Sequence, residues 1–230
     1  MPDKTLAELL ERNDRHVQSL PDDYFDAVES AQQPAVVSVC CSDSRVSQEG
    51  MWAVEEPGWL FTAGNIGNQV WEIHDGERVL AGDVLYPIEY TETDVACVVG
   101  HTGCGAVTAA LEAVQADDHD ELAPGIEARI ESIQPVIEAG LADDRVSAER
   151  DVSLVNQLVE YNVDRQVEFL RGSDDVPDHE TIYGFVYDFQ GVYGDDRGRC
   201  YLVNHGGETA ADRLREAVPE RFEPYARRLL

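Results

Sequence analysis

The chain has 230 residues, of which 43% are hydrophobic, so it is long and apolar enough for one sizeable core. Its 46 acidic residues outnumber the 17 basic ones, and the formal charge of −29 excludes a nucleic-acid partner, because phosphate binding requires patches of Lys and Arg. No apolar run approaches the roughly 20 residues that span a bilayer, and no secretory leader is recognisable, so we expect a cytoplasmic protein without a membrane partner.

The acidic residues are spread along the whole chain and alternate with apolar periodicity, which is typical of the solvated faces of folded elements. Repulsion among so many carboxylates is tolerable where salt screens it, since the Debye length falls to about 3 Å at 1 M salt. The charge therefore predicts a salt-rich cytoplasm, in a halophilic and haloarchaeal source.

In chain order, the first predicted element is an N-terminal helical arm over residues 1–33, made of an amphipathic helix and a second helical stretch. The short β-branched run from Ala35 to Cys41 predicts a buried parallel strand. The run from Val95 to Val99 predicts a second such strand, followed by a helix over residues 106–114. Cys41 and the segment after Val99 therefore lie at carboxyl ends of strands, where ligand sites collect in open α/β sheets.

The remaining predicted elements are three strands and two helices, over residues 60–63, 181–189, 200–203, 151–171 and 208–230. We find no internal repeat and no linker between domains. This succession predicts a single α/β domain over residues 1–230, with a mainly parallel sheet of four or five strands flanked by helices.

Two cysteines and one histidine form the most informative motif. Cys41 opens the segment Cys41-Ser-Asp-Ser-Arg45, and the segment His101-Thr-Gly-Cys104 follows the second predicted strand. Thiolate and imidazole groups are ligands suited to zinc, and three protein ligands leave one position open, which is typical of a catalytic rather than a structural zinc ion. The other cysteines of this odd set are predicted to be small buried hydrophobes, not disulfide partners: Cys40, Cys97 and Cys200.

These motifs closely resemble those of the β-class carbonic anhydrases, and the resemblance extends over roughly residues 35–205. Asn65 and Tyr86 lie at about the spacing of the family, and the segment Gly184 to Asp188 resembles one of its strands. The resemblance implies a β-carbonic anhydrase-like fold and a zinc lyase that interconverts carbon dioxide and bicarbonate. It also implies one Zn²⁺ per chain, bound by Cys41, His101 and Cys104.

The same resemblance implies roles for the residues around the metal. Asp43, gripped by Arg45, would accept a hydrogen bond from zinc-bound hydroxide and orient it. In some family members the matching Asp instead occupies the fourth zinc position in a closed site, and the sequence leaves both states open. By itself, Asp-x-Arg after a strand is usually an ordinary surface ion pair. Tyr86 and Gly105 are candidate residues of the substrate pocket.

Assembly and alternative functions also follow from the resemblance. Because the N-terminal helices of the family commonly embrace a neighbouring subunit, we expect a homodimer or a dimer of dimers. One alternative function keeps the site but hydrolyses carbonyl sulfide or carbon disulfide, as relatives of this fold do. Another is a non-catalytic zinc-binding module, which loss of Asp43 or Arg45 would mark, and the chain has both residues.

Overall fold

The structure is a computed structural model that describes residues 4–116 and 122–230. In chain order, its elements are α1 (Lys4–Ser19), β1 (Val36–Cys41), α2 (Gln48–Met51), β2 (Leu60–Asn65), β3 (Trp71–His74), β4 (Glu77–Leu80), α3 (Gly82–Tyr90), β5 (Val95–His101), α4 (Gly105–Gln115), α5 (Pro124–Leu141), α6 (Leu154–Gly172), β6 (Thr181–Asp188), β7 (Arg199–His205), α7 (Ala211–Glu216) and a 3₁₀ helix (Glu220–Tyr225).

A five-stranded sheet in the order β2-β1-β5-β6-β7 forms the centre of the fold. The first four strands run parallel, and β7 pairs with β6 in the antiparallel direction. Strands β1 and β5 are buried along nearly their whole length, which explains their continuous apolar runs, because parallel strands are covered on both faces. The predicted α/β fold with a mainly parallel sheet of four or five strands is confirmed.

Helix α6 lies close against the sheet because two strand residues have no side chain. A β-carbon at Gly100 in β5 or at Gly184 in β6 would come within 2.7 Å of the Val163 side chain. The two glycines therefore let the helix approach strands β5 and β6 directly. This approach carries the N-terminal end of α6 toward the end of β5 where His101 lies.

The N-terminal arm differs from its prediction in one respect. Helix α1 is present and buries none of its described residues, but the second helical stretch predicted before residue 33 is wrong. Successive turns replace it, with hydrogen bonds from Tyr24 N to Pro21 O and from Asp26 N to Asp23 O. Pro and Asp residues favour turns here, because Pro lacks the N–H donor and Asp side chains compete for backbone groups. Residues 1–3 of the arm lie outside the described residues.

Two further differences concern β3, β4 and the C-terminus. Strands β3 and β4 form a hairpin that was not predicted, and its turn places Asp75 and Gly76 at φ values of 51° and 85°. Such Asp-Gly turns join two strands directly. The single helix predicted over residues 208–230 is instead α7 and the 3₁₀ helix, separated at Pro219. The single domain over residues 1–230 stays a prediction.

Within residues 4–116 and 122–230, every helix is too short or too polar to cross a lipid bilayer.

Candidate metal centre

The three predicted ligands meet at the carboxyl ends of two neighbouring strands. Cys41 ends β1, His101 ends the adjacent parallel strand β5, and Cys104 immediately precedes α4. Their ligand atoms lie within 4.8 Å of one another, and all three side chains are buried. Cys41 Sγ and Cys104 Sγ are 3.8 Å apart and form no disulfide. Among the residues that the structure describes, no other group of three His, Cys, Asp or Glu side chains converges in this way.

The His101 ring is oriented to present one nitrogen to this cluster. Its Nδ1 lies 3.1 Å from the carbonyl oxygen of Thr102, to which it donates, so Nε2 carries the free lone pair. Nε2 is fully buried and has no hydrogen-bond partner in the structure. An unpaired buried nitrogen is costly unless it binds something, and a histidine whose other nitrogen donates to a carbonyl is typical of a metal ligand.

The two cysteine sulfur atoms of the cluster form a hydrogen-bonded pair. The hydrogen bond from the Cys104 thiol lowers the pKa of Cys41 to about 5, while the pKa of Cys104 is raised, first by that same bond. Backbone N–H groups stabilise the sulfurs further, from Gly67 to Cys41 and from Ala106 and Val107 to Cys104. The two sulfur atoms thus share one proton; its loss would give two thiolates beside one imidazole, a donor set that zinc prefers, so the residues present fit the ion.

Asp43 and Arg45 lie directly beside the cluster as a bidentate pair. Arg45 Nε donates to Asp43 Oδ1 at 2.9 Å and Nη2 donates to Oδ2 at 2.6 Å, while the backbone N–H of Arg45 also donates to Oδ1 at 2.9 Å. Asp43 Oδ2 is 3.7 Å from His101 Nε2, and Arg45 Nη2 reaches the carbonyl oxygen of Gly103 at 3.3 Å. The guanidinium group holds the pKa of Asp43 well below its usual range. Asp43 is therefore an ionised acceptor at the cluster.

Three further residues at this site were not predicted from the sequence. Asp188, at the end of β6, accepts a hydrogen bond from Thr102 Oγ1 at 3.2 Å, and Asn156 Oδ1, on α6, accepts one from Gly103 N at 2.8 Å. The third, Phe189, packs beside the cluster. The place of β6 next to β5 could have indicated Asp188 and Phe189, because Asp188 ends this parallel strand and Phe189 follows it, at the same end of the sheet as His101. Nothing in the pattern around Asn156 indicates its contact.

The two candidate pocket residues are less closely tied to the cluster. Tyr86 lies on α3 with 47% of its surface exposed and packs against the rings of Phe61 and Tyr90, at 6.4 and 5.3 Å. Gly105 begins α4 directly after Cys104, and a β-carbon there would meet no other atom within 4 Å. Open space thus lies beside one ligand, and the pocket roles of both residues stay predictions.

The other cysteines contrast with the ligand pair. Cys40 and Cys97 are buried as predicted, whereas Cys200 is only partly buried, because its strand β7 lies at the edge of the sheet. Burial raises the pKa of each of these three thiols to about 12. They are protonated at neutral pH, and Cys41 differs from them in having a pKa of about 5.

Comparison with known proteins identifies similar sequences. A family model described as carbonic anhydrase matches residues 36–192. Carbonic anhydrase 2 of Mycobacterium tuberculosis is 26% identical over 207 residues, which cover 86% of this chain and 91% of that protein. The carbonic anhydrase of Pseudomonas aeruginosa is 26% identical over 171 residues, which cover 72% of this chain and 74% of that protein.

Solved structures show the same architecture. A tetrameric β-carbonic anhydrase from Sordaria macrospora matches with a TM-score of 0.70 at 16% identity, covering 88% of this chain and 98% of that one. A Coccomyxa β-carbonic anhydrase, solved in complex with acetazolamide, matches with a TM-score of 0.68 at 22% identity, covering 93% and 91%. At these identities the likeness establishes the fold.

Proposed function

The chain belongs to the carbonic anhydrase family and has the fold of its β class, and we propose on that premise that it hydrates carbon dioxide with Asp43 and Arg45 as one catalytic unit. The reaction joins hydroxide to carbon dioxide and gives bicarbonate, while the proton of the original water leaves to solvent. The observation that carries this proposal is the place of the Asp43 carboxylate, 3.7 Å from the unpaired Nε2 of His101.

Cys41, His101 and Cys104 would hold the zinc ion. In such a donor set zinc acidifies water, so that hydroxide is available near neutral pH to attack carbon dioxide. The burial of all three side chains would keep bulk water away from the ligand atoms, and the hydrogen bond at His101 Nδ1 holds the ring in the tautomer that could bind a metal ion.

Asp43 is proposed to accept a hydrogen bond from the attacking hydroxide and so to orient its lone pair toward the substrate. A carboxylate does this only while it is ionised and fixed, and the two-point grip of Arg45 provides both conditions. We propose that the same grip would keep Asp43 from becoming a fourth ligand, and the two hydrogen bonds from Arg45 support this open state. Tyr86 and Gly105 are proposed to border the space that the substrate enters.

We propose that the protein assembles as a homodimer or a dimer of dimers in a salt-rich cytoplasm. The helix α1 supports an interface, because Leu6, Leu9 and Leu10 are 57%, 60% and 63% exposed on an element without buried residues. The Sordaria macrospora relative is described as tetrameric. The charge of −29 supports a halophilic source, since salt would screen the repulsion that assembly increases.

Stopped-flow hydration of carbon dioxide by zinc-loaded protein in molar potassium chloride tests the function, with carbonyl sulfide hydrolysis measured on the same preparation. We expect rapid hydration and slow or absent hydrolysis of carbonyl sulfide. The reverse preference would make the protein a hydrolase, and inactivity on both with one zinc per chain would make it a non-catalytic module. Sedimentation and activity repeated in dilute buffer should show smaller species and a lower rate, and unchanged values would contradict the salt adaptation.

A further inference from the structure

The ring of Phe189 contacts two groups of the proposed site. The Arg45 guanidinium carbon is 4.7 Å from the centre of this ring, and the His101 imidazole is stacked on it at 5.8 Å with an interplanar angle of 26°. Arg45 is half exposed, and its polar contacts join it to Asp43 and to the carbonyl oxygen of Gly103. Besides these polar contacts, the guanidinium group therefore has a cation–π contact with the Phe189 ring.

The backbone around Phe189 is fixed by the buried carboxylate of Asp188. Asp188 Oδ1 accepts hydrogen bonds from the backbone N–H groups of Gln190 and Gly191, at 3.1 and 2.9 Å, and Oδ2 accepts one from Tyr193 at 2.7 Å. Asp188 is completely buried. It also binds the hydroxyl of Thr102, next to His101, at 3.2 Å. One carboxylate thus locks the segment that bears Phe189 to the segment that bears the ligands.

A second pair in the molecule shows that no close ring is needed to form this type of ion pair. Asp143 and Arg145 make the same three hydrogen bonds, and the nearest ring contact of Arg145 is with Tyr161, at 5.9 Å. The closer contact of Arg45 with Phe189 is therefore not required for the pair to form.

We propose that Phe189 is a positioning residue, whose ring holds the Arg45 guanidinium, and through it the Asp43 carboxylate, at a fixed place beside His101. The inference rests on the proposed function. Without the ring, the pair should still form but should sample several positions, and Asp43 would spend less time where it orients the nucleophile.

The variants Phe189→Leu and Phe189→Tyr test this proposal, because Leu keeps apolar volume without a ring and Tyr keeps the ring. In zinc-loaded protein, Phe189→Leu should lower kcat by roughly threefold to tenfold with little change in KM, the size of loss expected for a cation–π contact. Both variants should retain one zinc per chain, and Phe189→Tyr should have the wild-type kcat.

The Nε–H signal of Arg45 in NMR spectra gives a readout that does not depend on activity. Phe189→Leu should move this signal toward that of Arg145 and speed its exchange with water, whereas Phe189→Tyr should leave it in place. An unchanged Arg45 signal and rate in Phe189→Leu would overturn the proposal, as would loss of zinc in that variant or equal losses in both. A wild-type protein without hydration activity would instead defeat the proposed function, and the Arg45 signal would still report whether the ring holds the arginine.

Discussion

Two Asp-x-Arg pairs in this molecule have the same local geometry. The backbone N–H, Nε and Nη2 of Arg45 donate to Asp43 at 2.9, 2.9 and 2.6 Å, and the same groups of Arg145 donate to Asp143 at 2.9, 2.9 and 2.8 Å. In both pairs the arginine lowers the pKa of the aspartate, to about 2 for Asp143. The bidentate contact between carboxylate and guanidinium group thus follows from the Asp-x-Arg motif alone.

The surroundings of the two pairs differ. Asp43 lies 3.7 Å from the unpaired Nε2 of His101, at the ends of β1 and β5. The other pair follows α5, with Arg145 above the ring of Tyr161. The same motif thus provides an ionised, fixed carboxylate at both places, and its position in the fold decides whether that carboxylate lies beside the candidate metal ligands. Four experiments test this contrast.

The largest effect is expected when the metal ligands are removed, because the first pair then becomes an ordinary ion pair like the second. Cys104→Ser should lower zinc from one per chain toward zero and reduce hydration by more than the roughly 10- to 100-fold that changes of outer-shell partners cost. Zinc analysis and stopped-flow rates check this expectation. Cys200→Ser is the matched control and should keep both. Full zinc occupancy and activity in Cys104→Ser would refute the ligand assignment.

Removing the arginine from each pair should affect the hydration rate only at the first pair. Arg45→Ala frees the Asp43 carboxylate, so we expect hydration to fall by roughly 10- to 100-fold while zinc is retained. Arg145→Ala removes the corresponding arginine from the second pair and should leave the hydration rate unchanged. Stopped-flow measurements compare the hydration rates of the two variants at matched zinc content. Equal rates in the two variants would mean that the place of the pair does not matter.

The strands and the metal ligands could be predicted from the sequence, whereas the structure of the N-terminal arm and the contacts of Phe189 could not. The β-branched runs before Cys41 and His101 predicted the strands, and strand ends bring ligands together by topology alone. The second helix of the arm was predicted wrongly, because local turn preferences outweighed periodicity in a segment without buried packing. Phe189 could not be assigned a role, since its contacts with Arg45 and His101 depend on how three strand ends are placed side by side.

The smallest effect concerns stability at the second pair. The pKa of Asp143 is lowered to about 2 in the folded protein, so its contribution is present above pH 4 and is lost as the pH falls through about 2. Asp143→Asn should therefore lower the free energy of unfolding by at most about 1 kcal/mol near neutral pH, as expected for a surface pair. Urea unfolding at several pH values should show this deficit shrinking below pH 4. A deficit that grows with acidity would contradict the pKa direction.

A double-mutant cycle on the hydration rate shows whether Asp43 and Arg45 act as one unit. Asp43→Ala, Arg45→Ala and the double variant are compared at matched zinc content, with the equivalent variants of Asp143 and Arg145 as the control cycle. We expect the double variant at the first pair to be hardly slower than the slower single variant, because the effects of residues in one catalytic unit are non-additive. Losses that multiply in the double variant, or near-normal hydration by Arg45→Ala, would contradict it.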